Sequence, residues 1–128
     1  MYCLDSTFCI DLANGRPGAV DKSRELDGRG ERLAIPAPAL TEFLVGAFAR
    51  GGRQLVQALE LASQLEVWEI TEGIAIDAAR LGGECARRGT PVGAIDLLVA
   101  AAARHHGAIV LSTDEDFSRI PGTVVETY

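Results

Sequence analysis

Short, mostly apolar runs recur along the chain and alternate with longer segments of mixed character. Five of these runs contain four or five residues each and have the length of buried strands: Met1–Leu4, Leu33–Ala37, Val67–Ile70, Ala108–Leu111 and Thr123–Glu126. The segments between them show helical periodicity. Short strands that alternate with helices are typical of an α/β domain with a mainly parallel sheet.

Helical periodicity is clearest in the middle and C-terminal parts of the chain. Apolar residues after the second run occupy one helix face, at i, i+3, i+4, i+7 and i+8: Leu40, Phe43, Leu44, Ala47 and Phe48. A second amphipathic helix is predicted between Thr71 and Gly89, and the segment Ala94–His106 is rich in the strong helix formers Ala and Leu. Shorter helices are predicted from Ser6 to Asn14, within the polar segment 16–32 and around Leu55–Ala62.

These elements predict a three-layer α/β/α sandwich in which a mainly parallel sheet lies between two layers of helices. The 128 residues match the length of one domain, and no repeat or linker divides them, so we expect a single domain over residues 1–128. Hydrophobic residues make up 48% of the chain, and the mean hydropathy is +0.15. This composition supplies a core and excludes a mainly disordered chain.

Composition also narrows the class of function. Twelve basic and 18 acidic residues give a net charge of −6, which excludes binding to nucleic acid through bulk positive charge. An enzyme with a local basic rim, or with metal at its acids, stays possible. Three cysteines without a C-x-x-C motif argue against a disulfide framework. The N-terminus lacks the basic region of a signal peptide, and the longest apolar run, Leu97–Ala103, is too short for a membrane span. We therefore expect a soluble, cytoplasmic protein.

Several common catalytic motifs are absent from the sequence. There is no H-E-x-x-H, no G-x-S-x-G and no G-x-x-x-x-G-K-[ST], and Lys22 is the only lysine. Zinc protease, serine hydrolase, P-loop and lysine Schiff-base chemistry therefore lack their parts. Carboxylates in unusual positions are the main candidates for chemistry.

Four acids have such positions. Asp5 directly follows the first apolar run, and Asp114 comes shortly after the fourth. Both therefore belong at the carboxyl edge of a parallel sheet, where ligand sites form. Asp96 interrupts an otherwise apolar helix, and Glu42 lies near the start of an amphipathic one.

Each of these acids also has a structural explanation. Asp5 is in position to cap the helix that begins at Ser6, and Asp114 to hold a turn. Asp96 and Glu42 are candidates for charges in the first turn of a helix, where the helix dipole favours an acid. Taken together, however, carboxylates at strand ends with no lysine nearby indicate a site for a hard cation. Mg²⁺ or Mn²⁺ prefers oxygen ligands and supports hydrolysis of phosphodiesters.

The motifs around these acids resemble the PIN domain, and more narrowly the VapC-type toxins of toxin–antitoxin pairs. Four blocks carry the resemblance, in order and at fitting spacing: Leu4–Ser6, Leu40–Gly46, Gly89–Ala103 and Leu111–Phe117. The resemblance implies a PIN-like fold and an endoribonuclease that depends on Mg²⁺ or Mn²⁺.

The resemblance also assigns roles to residues. It implies that Asp5, Glu42, Asp96 and Asp114 are the catalytic acids, with Asp5, Asp96 and Asp114 as metal ligands. Ser6, Ser112 and Asp116 are expected to support the site. Many family members carry threonine where Ser112 stands, and Thr113 is its neighbour, so either hydroxyl is a candidate to face the site. Four arginines in loops or at helix ends are candidates for the rim of an RNA cleft: Arg16, Arg50, Arg53 and Arg119.

The resemblance further implies three partners, namely an RNA substrate, a cognate antitoxin and a second copy of the chain in a homodimer. Two alternatives stay open within the same fold: an RNA-processing PIN nuclease without a toxic role, and a non-catalytic PIN-like binding module. Loss of the acids would mark the binding module, and all four are present. A phosphatase of the aspartyl type would need a D-x-D motif directly after the first strand, and Asp5-Ser6-Thr7 at that place lacks the second aspartate.

Overall fold

A computed structural model describes all 128 residues of the chain. It contains five strands, β1 to β5: Tyr2–Leu4, Leu33–Pro36, Glu66–Trp68, Ile109–Leu111 and Val125–Glu126. Six α-helices, α1 to α6, connect them: Ser6–Ala13, Pro17–Gly28, Ala37–Arg50, Gly52–Ser63, Glu72–Arg87 and Ala94–His106. A short 3₁₀ helix, Glu115–Arg119, follows β4. None of the helices combines the length and apolar character that a membrane span requires.

The five strands form one parallel sheet in the order β3-β2-β1-β4-β5. The predicted α/β class and parallel sheet are confirmed. Because all strands are parallel, their carboxyl ends meet at one edge, and β1 is central with β4 beside it. Leu4 pairs with Leu111, so Asp5 and Ser112 leave neighbouring strands side by side. The prediction that these two residues share an edge is therefore confirmed.

The helices form two layers, as the predicted sandwich requires. Crossovers between parallel strands are right-handed, so the step from β1 through β2 to β3 puts α1–α4 on one face. The connection from β3 to β4 runs across the sheet in the opposite direction, and it therefore puts α5 and α6 on the other face of the sheet. The observed packing agrees, because α1 contacts α2, α3 and α4, whereas α5 packs on α6. Near the site, α3 also contacts α6.

The alanine-rich segment of α6 has a packing role. Four consecutive alanines, Ala100 to Ala103, are all buried, and α6 contacts β1, β2 and β4. Small side chains let the helix lie close to the sheet, and Ala also has the highest intrinsic helix propensity. The start of α6, with Asp96, is thereby held near the carboxyl edge of the central strands.

Some element boundaries differ from the predicted ones. Strand β3 ends at Trp68 instead of Ile70, because its partner β2 ends at Pro36 and later residues of β3 have no strand to pair with. The last strand contains only Val125 and Glu126. In the polar segment 16–32, helix α2 is longer than the short helix predicted there and covers 12 residues, starting with Pro17 in its first turn.

Candidate active site

Asp5 is a buried acid at the carboxyl end of β1. Its exposed fraction is 2%, and its Oδ2 accepts a hydrogen bond of 2.7 Å from the hydroxyl of Ser112. Asp5 occupies the N-cap position of α1 but makes no side-chain capping hydrogen bond, so the capping interpretation does not explain its side chain. Burial raises the pKa of Asp5, and the bond from Ser112 opposes this rise by stabilising the carboxylate.

Ser112 links the acids of two strands. While its hydroxyl donates to Asp5, the same oxygen accepts a hydrogen bond of 3.0 Å from the backbone N–H of Asp114. Ser112 is fully buried, whereas Thr113 is exposed. Of the two candidate hydroxyls, it is therefore Ser112 that faces the acids.

Asp114 has a structural role as well as a place in the cluster. It caps the 3₁₀ helix, since its Oδ1 accepts a hydrogen bond of 2.9 Å from the backbone N–H of Asp116. The interpretation of Asp114 as a turn-forming residue is thus correct. The same turn brings the carboxylates of Asp114 and Asp116 to one side of the chain, next to Asp96.

Glu42 is held by the start of α1. The hydroxyl of Ser6 donates a hydrogen bond of 2.8 Å to Glu42 Oε1. The suggestion that Glu42 is a first-turn partner of the helix dipole is wrong, because α3 begins at Ala37 and has no acid in its first turn. Helix α3 contacts α6, and Glu42 is close enough to Asp96 for its negative charge to raise the pKa of Asp96.

Asp96 has the most perturbed carboxylate of the cluster. It lies in the first turn of α6 and is partly buried. Burial, followed by the negative charges of Asp5, Asp114, Glu42 and Asp116, raises the pKa of Asp96 from 3.8 to about 7. All five acids are therefore close enough to interact. Repulsion of this kind is the electrostatic condition that a bound cation relieves.

Three of the acids have the spacing of a metal site. One carboxylate oxygen from each of Asp96, Asp114 and Asp116 lies within 4.8 Å of the others. This group differs from the predicted ligand set, because Asp116 belongs to it and Asp5 does not. The chemistry fits a hard divalent ion, since every donor is a carboxylate oxygen and no thiol or imidazole takes part. The D-x-D spacing of Asp114 and Asp116 is the sequence signal that places Asp116 in this group.

One basic residue touches the acidic cluster. Arg119 Nη1 lies 2.9 Å from Asp116 Oδ1, and no other acid of the cluster has an ion pair. Of the other arginines proposed for the rim, Arg16 pairs with Asp11, on α1. Arg50 lines a separate groove of about 230 Å³ between α1, α3 and α4, which contains no acid.

The remaining titratable groups do not form a second site. Cys3, Cys9 and Cys85 are free and buried, as the cysteine count indicated. Burial is the main cause that raises the pKa of the Cys9 thiol to about 12, which leaves it protonated and unreactive at neutral pH. His106 stacks on Trp68 with ring centroids 3.8 Å apart, at the end of α6 remote from Asp96.

Comparison with known proteins identifies the family. The model of the PIN domain matches residues 2–123. A tRNA(fMet)-specific endonuclease VapC from Salmonella typhimurium is 30% identical over 99% of this chain and 97% of its own. A DNA-bound VapBC structure from the same organism is 29% identical with a TM-score of 0.80, covering 98% of this chain and 96% of that one. A VapBC2 structure from Rickettsia felis, at 24% identity and a TM-score of 0.83, covers 99% and 98% and supports the fold. The chain therefore belongs to the PIN domain family.

Proposed function

We propose that this protein is a divalent-metal-dependent endoribonuclease of the VapC type, which hydrolyses RNA phosphodiester bonds as the toxin of a toxin–antitoxin pair. The observation that carries the proposal is the convergence of five acids at one sheet edge in a member of the PIN family. Relatives that span nearly the whole chain and bear ribonuclease or endonuclease names support it.

The ion is proposed to be Mg²⁺ or Mn²⁺, held by Asp5, Asp96 and Asp114 with Asp116 as a fourth donor. The hydroxyl of Ser112 bonds to Oδ2 of Asp5 and supports its carboxylate form, which is the form that would bind the ion. When bound, such an ion makes water a stronger nucleophile and stabilises charge on a phosphodiester in the transition state. An all-oxygen donor set supports either ion over zinc or copper.

The protein's own side chains have separate proposed tasks. Ser112 orients Asp5, and Ser6 orients Glu42. Glu42 accepts the Ser6 bond at Oε1, which leaves Oε2 as the proposed acceptor of a proton from the attacking water. Asp96, whose pKa is raised by burial and then by repulsion from its neighbours, gains most from a bound cation.

The partners are proposed on the same basis. Relatives solved as VapBC or toxin–antitoxin complexes support a cognate antitoxin, and the family supports a homodimer. Both partners need apolar surface. Large apolar side chains are exposed at seven positions, and four of them belong to α3 and α4: Val45, Phe48, Val56 and Leu59.

The test is cleavage of RNA by the purified protein. Total RNA and, because of the first relative's name, initiator tRNA are incubated with protein in Mg²⁺, Mn²⁺ or EDTA, and the 5′ ends of the products are sequenced. Discrete cuts that require the ion and disappear in Asp96→Asn are expected. Cleavage that persists in EDTA, or no cleavage of any RNA with either ion, would contradict the proposal.

The toxin role needs its own measurement, since an RNA-processing nuclease would give the same cleavage. Growth arrest on expression, relieved by co-expression of a small protein from an adjacent gene, is expected for a toxin. Normal growth with active enzyme would instead favour the RNA-processing alternative.

A further inference from the structure

Arg119 has a position that no other basic residue shares. Its guanidinium bonds to Asp116, whose carboxylate lies in the group formed with Asp96 and Asp114. The other ten arginines and Lys22 make no ion pair with any acid of the cluster. The guanidinium of Arg119 is therefore the positive charge within the site, in a protein whose net charge is −6.

The backbone around Arg119 is firmly anchored. Phe117 and Ile120, on either side of it, are 0% and 2% exposed, so the 3₁₀ helix is fixed to the core. A chain of hydrogen bonds also runs from buried Asp5 through Ser112 and Asp114 to the N–H of Asp116. The backbone of Asp116, whose side chain holds the guanidinium of Arg119, is therefore tied to the centre of the site.

The ion pair leaves most of the guanidinium available. Arginine carries five N–H donors, and the bond to Asp116 uses one of them, on Nη1. The side chain is 48% exposed. An ion pair this exposed is weak, so it orients the arginine without preventing further contacts. Guanidinium groups in this state are suited to two-pronged contact with phosphate oxygens.

We propose that Arg119 binds a phosphate of the RNA beside the acidic cluster, and that Asp116 positions it for this contact. The inference rests on the proposed ribonuclease function and adds the residue that overcomes repulsion between RNA and the acids. Asp116 then has two tasks, because its Oδ1 holds Arg119 and its carboxylate also belongs to the close group with Asp96 and Asp114.

The test measures RNA binding instead of cleavage. Affinity for a short single-stranded RNA is determined in Ca²⁺ over a series of salt concentrations, with a gel to confirm that the RNA stays intact. Each phosphate contact contributes about 0.7 to the slope of log affinity against log salt for single strands. Arg119→Gln is expected to lower affinity about tenfold and to reduce this slope by about 0.7.

Arg80→Gln is the matched control. Arg80 also donates from Nη1 to an aspartate three residues earlier, Asp77, at 3.0 Å, and it is 71% exposed on α5. The control removes the same charge and the same kind of pair outside the cluster, so affinity and slope should equal those of the wild type. Arg119→Lys should keep the slope, because the positive charge is retained. It should lose part of the affinity for RNA, because an ammonium group cannot make the two-pronged contact of a guanidinium.

The outcomes separate this inference from the proposed function. If wild-type protein binds RNA and Arg119→Gln has an unchanged slope, Arg119 is only a counter-ion of Asp116 and the inference is overturned. If Arg119→Gln does not fold, Arg119→Lys decides instead. A lower affinity than that of the wild type, at an unchanged slope, would support the contact. An affinity equal to that of the wild type would overturn it. If the wild type binds no RNA in any ion, the proposed function fails, and this inference fails with it.

Discussion

At the scale of single residues, the negative charges of Asp5 and Asp96 are compensated in different ways. Asp5 is buried, but a hydroxyl donates to its carboxylate. Asp96 receives no side-chain hydrogen bond and lies near four other acids, so burial and repulsion disfavour its charged form until a cation binds. Asp96 should therefore respond most to metal and to mutation.

Replacing Asp96 with asparagine should abolish metal-dependent activity and stabilise the metal-free protein. The change keeps the size and removes a charge from the ion site, so we expect cleavage to fall at least 100-fold. In EDTA at pH 8, relief of repulsion should raise the free energy of unfolding on the order of 1–3 kcal/mol. If Asp96 served only the helix dipole, the variant would instead lose ~0.3–1 kcal/mol and keep its activity.

The pH dependence of this effect has a definite sign. The pKa of Asp96 rises from 3.8 to about 7 in the folded state, so between these values the unfolded chain loses the proton while the folded protein keeps it. Asp96 therefore lowers the free energy of unfolding progressively as the pH rises from about 4 to about 7, and the full decrease is present above pH 7. Denaturation in EDTA should show equal stability of variant and wild type near pH 4 and the largest difference above pH 7.

Ser112 should matter more than its neighbour Thr113. Ser112→Ala removes the donor to Asp5 and the acceptor for the N–H of Asp114, both buried or partly buried. We expect a loss of about 1–3 kcal/mol and weaker binding of the ion, measured by denaturation and calorimetry. Thr113→Ala changes the neighbouring, exposed residue and is the control. Equal effects of the two substitutions would show that the hydroxyl of Ser112 has no special role.

At the scale of elements, the contact between α5 and α6 positions Asp96. The two helices approach closely at Gly82, where an added Cβ would lie 2.7 Å from Cδ1 of Leu97. Leu97 is 8% exposed and directly follows Asp96, so its Cδ1 has little room to move away from an added methyl group. Gly82 therefore allows α5 to pack closely against the first turn of α6, which contains Asp96.

Gly82→Ala and Gly83→Ala should separate helix propensity from packing. Alanine in the interior of a helix is favoured over glycine by about 0.8–1 kcal/mol. At Gly83 the new Cβ meets Nη1 of Arg87 at an ordinary 3.6 Å, so the variant should gain about 0.5–1 kcal/mol. At Gly82 the clash should cancel this gain and lower affinity for the ion. Equal stabilisation by both substitutions would contradict the packing argument.

The sequence predicts which segments form helices and strands more fully than it predicts which neighbouring segments they contact. Periodicity identified the helices that contain Glu42 and Asp96, and apolar runs identified the strands before Asp5 and Asp114. Strand β3 was misplaced by about two residues at its end, because its length depends on where β2 stops. The choice of Ser112 over Thr113 likewise depends on which way the chain leaves β4. Both depend on neighbouring segments, which a local pattern does not contain.

At the scale of the whole molecule, the parallel topology gathers the site from distant parts of the chain. The acids span residues 5 to 116, and the central position of β1 brings the segments after β1, β2 and β4 to one edge. Strand-end position alone therefore predicted a shared site for Asp5 and Asp114. The exact membership of the close group, with Asp116 inside and Asp5 outside, could not be predicted, because it depends on side-chain directions.

The proposed homodimer gives a prediction about mass in solution. A monomer has a mass of 13.6 kDa, so light scattering should report about twice this value at micromolar concentration. The exposed apolar side chains on α3 and α4, among them Phe48 at 61%, supply surface for association. A stable species of 13.6 kDa that persists as concentration is raised would count against the dimer.

Binding of a divalent ion should stabilise the whole molecule through the acidic cluster. A ligand that binds only the folded state adds about 2.7 kcal/mol at 100 times its Kd, so Mg²⁺ or Mn²⁺ should raise the melting temperature measurably. The unfolded chain lacks the site, because its acids come from separate segments. Asp96→Asn should lose most of this ion-dependent shift, since it removes a central donor.

The control for the ion effect is Asp21→Asn. Asp21 is an exposed acid on α2 that makes no ion pair, so its removal changes net charge equally without touching the cluster. Its melting temperature should rise with added ion as much as that of the wild type. A monovalent salt of equal ionic strength must produce less stabilisation than the divalent ion, because screening alone does not bridge carboxylates. Identical shifts in wild type and Asp96→Asn would mean that the ion binds elsewhere, and the assignment of the metal site would then be wrong.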